Sequence, residues 1–171
     1  MLSPSIVSLP DVLFPLFSST LLQSYSEHPP TCSWCTSSVS PCSAVHNVSP
    51  QILPEEVQTA AAQGYRAIIS NRPDAEEPGQ PMTEDIRAAA EAAGLPFVHI
   101  PIRGGAMTPD DVARFKAALA DLPHPILGYC RSGTRTTYLW ALSQAGERPA
   151  EEIITLAAQA GYDVSPLASR L

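Results

Sequence analysis

The chain has 171 residues, with 17 acidic and 10 basic side chains, a formal charge of -7, 44% hydrophobic residues and four cysteines. That length suits one compact domain. The acidic balance excludes a general binder of nucleic acid or of an anionic membrane surface, since either would be repelled at long range, while a local basic pocket stays allowed. Four cysteines are too few for a small disulfide scaffold and the apolar content suffices for an ordinary core, so a reduced, cytoplasmic setting is expected.

Composition breaks sharply near residue 47. Residues 1–46 contain no Lys or Arg, two acids (Asp11 and Glu27), one alanine, twelve serines and six prolines. They read as a low-complexity, disordered tail, with residues 47–171 as the folded domain. Val12 to Leu22 is interrupted by Pro15 and by Ser18-Ser19-Thr20 and has no basic n-region, so neither a secretory signal nor a membrane span is expected there. His28, Cys32, Cys35 and Cys42 are metal-ligating types, but their spacing fits no common zinc module, and a flexible tail is the preferred reading. A translation start beyond the tail is a third reading.

From Asn47 onward the pattern is regular. Pro54-Glu55-Glu56 places proline and two acids in a first helical turn, Val57, Ala60 and Ala61 supply an apolar stripe, and Gly64 ends the helix. Tyr65 to Ser70 reads as a buried strand. A second helix starts at Thr83 as its capping residue, carries Glu84 and Asp85 in the first turn and stops at Gly94, and Phe97 to Ile100 is a second strand. Thr108-Pro109-Asp110-Asp111 combines a cap, a first-turn proline and two dipole-matched acids, opening a third helix that runs to about Asp121. Ile126 to Tyr129 is a third strand, Thr136 to Gln144 a fourth helix and Pro149 to Ala160 a fifth. Helices alternating with short apolar strands require crossover connections. They imply an α/β domain with a mainly parallel central sheet flanked by helices.

Ligands of such sheets bind beyond the carboxyl ends of the strands. The segments leaving the strands are Asn71-Arg72-Pro73-Asp74, Pro101-Ile102-Arg103-Gly104-Gly105 and Cys130-Arg131-Ser132-Gly133-Thr134-Arg135, so an acidic chain gathers arginines at one rim. Cys130 ends a buried strand and precedes a short glycine-containing loop and a helix. Backbone N–H groups and the positive helix end then face its sulfur, and Arg131 and Arg135 add permanent charge. This is the environment that activates thiols for nucleophilic work, whereas an inert buried cysteine has no use for it. Gly133 lets the backbone curl so that several N–H groups point inward. His99, inside a strand, reads as a hydrogen-bonded core histidine, His124 as part of a loop, and Tyr138 and Trp140 as packing residues.

The segments Asn47-Val48-Ser49-Pro50-Gln51-Ile52, Ile69-Ser70-Asn71-Arg72-Pro73-Asp74, Glu76-Glu77-Pro78-Gly79-Gln80, His99-Ile100-Pro101 and Tyr129-Cys130-Arg131-Ser132-Gly133-Thr134-Arg135 resemble the phosphatase-like domain of β-lactamase-hydrolase-like proteins. The likeness covers about Asn47 to Ala145, and the tail matches nothing in that family. It implies a fold related to the tyrosine and dual-specificity phosphatases; members of the family are also labelled sulfur transferases. Tyrosine-phosphatase-type enzymes use Cys-x5-Arg, whereas Cys130 and Arg135 are spaced Cys-x4-Arg and Thr136 stands where that arginine would be. The wording is instead similar to the persulfide-carrying loop of rhodanese-type sulfurtransferases. Dual-specificity phosphatases also place an acidic proton donor after the strand matching Phe97 to Ile100, where this chain has Arg103; Asp110 and Asp111 read as helix-start acids.

The expected activity is therefore sulfur transfer through a persulfide on Cys130, with hydrolysis of a phosphomonoester through a cysteinyl-phosphate as the alternative and a non-catalytic anion-binding module as a third class. Cys130 and Arg135 are the expected catalytic residues; Arg131, Ser132, Gly133, Thr134, Arg72 and Arg103 are expected to bind substrate, with a salt bridge to Asp74 or Glu76 as the alternative for Arg72 and Arg103, and Asp74 or Glu76 is the candidate acid for the phosphatase alternative. No metal or cofactor is expected in the body of the chain, nor a nucleic-acid or membrane partner. A small anionic sulfur or phosphate compound is the expected substrate, and a protein of sulfur metabolism the expected partner.

Overall fold

The computed structural model describes residues 40–41, 46–103 and 106–171. His28, Cys32 and Cys35, and Cys42 in the stretch after Pro41, lie outside the described residues, so the reading of them as a flexible or metal-ligating group does too. The chain runs β1 (Ser40–Pro41), β2 (His46–Ser49), α1 (Pro54–Ala62), β3 (Ala67–Ser70), α2 (Thr83–Ala92), β4 (Phe97–His99), α3 (Pro109–Asp121), β5 (Ile126–Tyr129), α4 (Thr134–Ser143), α5 (Ala150–Gln159) and a closing 3-10 helix (Ser165–Arg170).

The strands form one sheet in the order β1-β2-β5-β3-β4, with β1 antiparallel to β2 and every other pair parallel. Two departures from the sequence reading stand at its edge. β2 carries no predicted strand, because only Val48 of its four residues advertises burial. Ser40 and Pro41, within the expected tail, pair with Val48 and Asn47, so sheet pairing begins before residue 47.

Side chains alternate across the sheet as strand geometry demands. One face carries Ala67, Ile69 and Ile126 under Phe115 of α3, Leu139 and Trp140 of α4 and Ile153 of α5. The other carries Ile68, Leu127 and Tyr129 under Val57 and Ala60 of α1 and Ile86 and Ala90 of α2. Trp140 is 1% exposed and Tyr138 packs at the margin of the first cluster, which makes both packing residues as expected.

Local signals act as read at α3. Thr108 caps it by accepting from the Asp111 backbone N–H, and Asp111 Oδ2 accepts from the Thr108 N–H in return. At α2 the reading needs correction. Thr83 is not the cap but the first helical residue, and its backbone N–H donates to Asp74 Oδ1 at 2.7 Å, so the capping oxygen comes from nine residues earlier. α4 begins at Thr134, two residues before the expected start, because Gly133 adopts a left-handed φ of 93° and turns the chain directly into the helix.

Candidate active site

β3 and β5 end side by side in the middle of the sheet, and their following segments share the same rim. The Asn71 N–H donates to the Tyr129 carbonyl and the Ile102 N–H to the Asn71 carbonyl, which ties the loops after β3, β4 and β5 together. Cys130 leaves β5 into this junction and is fully buried. The Gly133 N–H donates to Cys130 Sγ at 3.2 Å, so the sulfur sits within the turn of the loop, facing the N-terminal end of α4. A side chain at Gly133 would run into the Tyr162 ring, and the Tyr162 hydroxyl donates to the Ser132 carbonyl at 3.3 Å. Tyr162, invisible to motif reading, thus backs the loop from beyond α5. Ser132 Oγ and Thr134 Oγ1 lie 3.1 Å apart on its open side.

Arg135 turns back over the junction. Its Nη1 donates to the Ile102 carbonyl at 2.8 Å and its Nη2 to Glu76 Oε2 at 2.8 Å. Burial works against its charge, but the Glu76 hydrogen bond and then the neighbouring Cys130 hold its pKa above the ordinary value. Thr136, six residues after Cys130, is fully buried in the first turn of α4, with its methyl against the Gly128 backbone. That side chain packs against β5.

The remaining sequence candidates separate. Arg72 is 5% exposed at its side chain and is spent within the protein: Nε donates to Glu76 at 2.9 Å, Nη2 to Glu77 at 2.6 Å and Nη1 to Gln51 Oε1 at 3.0 Å. Three of its five N–H donors are thus engaged by neighbouring side chains. Arg131 lies at the rim with its side chain 60% exposed and is paired with Glu77. Arg103 is exposed and forms no salt bridge among the described residues. His99 is half-buried with Nε2 2.9 Å from the Arg72 carbonyl, a bonded histidine as expected.

Asp74, expected as an acid, is engaged elsewhere. Burial pushes its pKa up, but the Thr83 side-chain and backbone hydrogen bonds outweigh this and hold it below the ordinary carboxylate value. Its Oδ1 thereby serves the first turn of α2. Glu76 is likewise held low, by the Arg135 hydrogen bond first and by Arg72 as well, against the effect of burial. Sequence reasoning missed Glu77 and Gln51 as members of this network. The signal available was the arginine count, since buried guanidinium must be matched by oxygen acceptors.

A buried cysteine at the foot of an arginine-rimmed loop, at the carboxyl edge of a parallel sheet covered on both faces, defines a cysteine-dependent, phosphatase-like enzyme domain. The model of the family described as "Beta-lactamase hydrolase-like protein, phosphatase-like domain" matches residues 29–147, and the chain belongs to that family. The match reaches 18 residues further toward the N-terminus than the resemblance over Asn47 to Ala145 had indicated. The β-lactamase hydrolase-like protein of Xylella fastidiosa is 38% identical over 119 residues, covering 68% of this chain and 28% of its own length. This chain therefore spans little more than a quarter of that curated relative. Among solved structures, a candidate phosphatase from Neisseria meningitidis is 34% identical with a TM-score of 0.69, covering 77% of this chain and 94% of the other. PTPMT1, solved in complex with PI(5)P, shares the fold at 12% identity with a TM-score of 0.57, over 74% of this chain and 87% of its own.

Proposed function

We propose that the domain is a sulfurtransferase that carries sulfane sulfur as a persulfide on Cys130. In the first step the Cys130 thiolate attacks the outer sulfur of a donor such as thiosulfate. The Sγ–S bond forms as the donor S–S bond breaks, and sulfite leaves with the electron pair. In the second step a nucleophilic acceptor, cyanide in an assay, attacks the terminal sulfur, and the thiolate departs with its electron pair. Arg135 and Arg131, with the Gly133 N–H, stabilise the thiolate, the persulfide and the anionic donor.

The observation that carries this reading is the fate of the carboxyl groups. Neither sulfur-transfer step needs a proton delivered to its leaving group, whereas expelling an alcohol from a phosphomonoester does. Asp74 accepts from the Thr83 N–H at the start of α2, Asp111 accepts from the Thr108 N–H at the start of α3, and Glu76 is ion-paired to two arginines, so each is engaged within the protein. Thr136, at the sixth position after Cys130, is buried against Gly128 of β5, so the arginine position of tyrosine-phosphatase-type loops is not reproduced there.

The second reading, phosphomonoester hydrolysis through a cysteinyl-phosphate, draws on the likeness to the Neisseria meningitidis structure and on the phosphoinositide bound by PTPMT1. Mass spectrometry of Cys130 after incubation with thiosulfate, beside parallel assays with thiosulfate plus cyanide and with an aryl phosphate, tests both. We expect one added sulfur on Cys130 and thiocyanate production. Turnover of the aryl phosphate alone overturns the sulfur-transfer reading, and sulfate binding without either activity favours a non-catalytic module.

A further inference from the structure

The arginines of the Cys130 loop are not free in the resting protein. Three guanidiniums, Arg72, Arg131 and Arg135, meet two consecutive carboxylates, Glu76 and Glu77, from the loop after β3. The members differ in freedom. Arg72 is buried and holds both carboxylates at once, Glu76 through Nε and Glu77 through Nη2. The loop that presents them is strapped at both ends, by Asp74 on the Thr83 N–H and by Gln80 Nε2 on the Pro73 carbonyl at 2.9 Å. Ala75, with a left-handed φ of 58°, supplies the turn that precedes the two glutamates. Arg131, by contrast, is largely exposed and touches the loop only through Glu77.

We propose that Glu76 and Glu77, fixed on Arg72, form an internal counter-anion that competes with an incoming anion for Arg131 and Arg135. It rests on the reading of the Cys130 loop as an anion cradle, and it holds whether the anion is a sulfur donor or a phosphate. The guanidinium groups exchange a carboxylate for the ligand, with Arg131 moving furthest because solvent already surrounds it. The carboxylate pair thereby weakens the cradle for every anion that would otherwise occupy it and keeps its two arginines from pairing with ambient sulfate or phosphate.

Calorimetric titration with sodium sulfate at constant ionic strength, on the full chain and on the Glu77→Gln, Arg131→Gln and doubly substituted chains, tests this. Exchange of an exposed ion pair for a free guanidinium should tighten sulfate binding by about two- to fivefold in Glu77→Gln. On the Arg131→Gln background the same substitution should give no gain, since Arg72, the other partner of Glu77, is buried and stays held by Glu76 and Gln51. An equal gain in both backgrounds assigns the effect to net charge and overturns the proposal, as does unchanged or weakened binding in Glu77→Gln, or sulfate binding to neither chain. A sulfate-soaked crystal of the unsubstituted chain gives a second readout that requires no folded variant: Arg131 should leave Glu77, and sulfate in the loop with that pair intact overturns the proposal. Failure of Cys130 to gain sulfur from thiosulfate would sink the sulfurtransferase reading while leaving these sulfate results untouched.

Discussion

Arg131 and Arg135 flank the same loop, yet their surroundings assign them different weights. Arg135 has a side chain 14% exposed and is gripped by the Ile102 carbonyl and by Glu76, while that of Arg131 is 60% exposed. A guanidinium held by two acceptors in fixed directions is not replaced by a single ammonium point charge. Arg135→Lys should therefore slow persulfide formation by about tenfold or more, on the scale of one lost charged hydrogen bond, measured as single-turnover sulfur loading from thiosulfate. Arg131→Ala should cost only a fewfold. Asp74 provides the complementary residue-scale test. Asp74→Asn keeps an oxygen for the Thr83 N–H and should leave loading and transfer near the unsubstituted rate; a large loss in transfer with an unchanged melting temperature would restore Asp74 as an acid.

At the scale of elements, the loop from Asn71 to Gln80 does work that its sequence only partly advertises. β3, β5, α3 and the Cys130 loop were legible because their signals are local: an apolar run, a Thr-Pro-Asp-Asp start, a cysteine before glycine. The partners of this loop were not, because Asp74 with Thr83 and Glu76 with Arg135 meet across 9 and 59 positions of chain, and no local pattern encodes such pairings. Its acid sensitivity follows from the ion pairs. Glu76 is held below its ordinary 4.5 by the Arg135 hydrogen bond and then Arg72. A carboxyl with a depressed folded-state pKa contributes stability that is present above its unfolded-state pKa and is lost as the pH falls through the folded-state value. Thermal melts from about pH 7 to about pH 3 should thus show Glu76→Gln less stable than the unsubstituted chain near neutrality, with the two curves converging in acid; parallel curves would mean that the pair contributes nothing. At the same loop, Asp74→Ala should cost about 1 kcal/mol in denaturant unfolding, the usual magnitude of a lost helix cap.

For the whole molecule, the question is where the folding unit begins. The composition break near residue 47 reflects side-chain content, whereas sheet membership depends on backbone pairing, to which serine and proline at an edge are not opposed. β2 lies between β1 and β5, with Val48 fully buried in the core cluster beneath α3, α4 and α5. Ser40 and Pro41 only border it. We therefore expect the boundary to be set by β2 and not by the composition. A chain starting at residue 40 should melt cooperatively, at a temperature close to that of the full chain, and should load sulfur on Cys130. One starting at residue 50 removes a strand hydrogen-bonded along β5 and exposes the strand that delivers Cys130. Removing Val48 alone forfeits about 1.5–3 kcal/mol of apolar burial, and the unpaired β5 backbone adds to it, which together approach the stability of an ordinary domain of about 5–15 kcal/mol. That chain should be largely unfolded by far-UV circular dichroism and inert toward thiosulfate. A cooperative melt and a loaded Cys130 in the chain starting at residue 50 would instead show that β5 needs only β3 beside it to hold the loop.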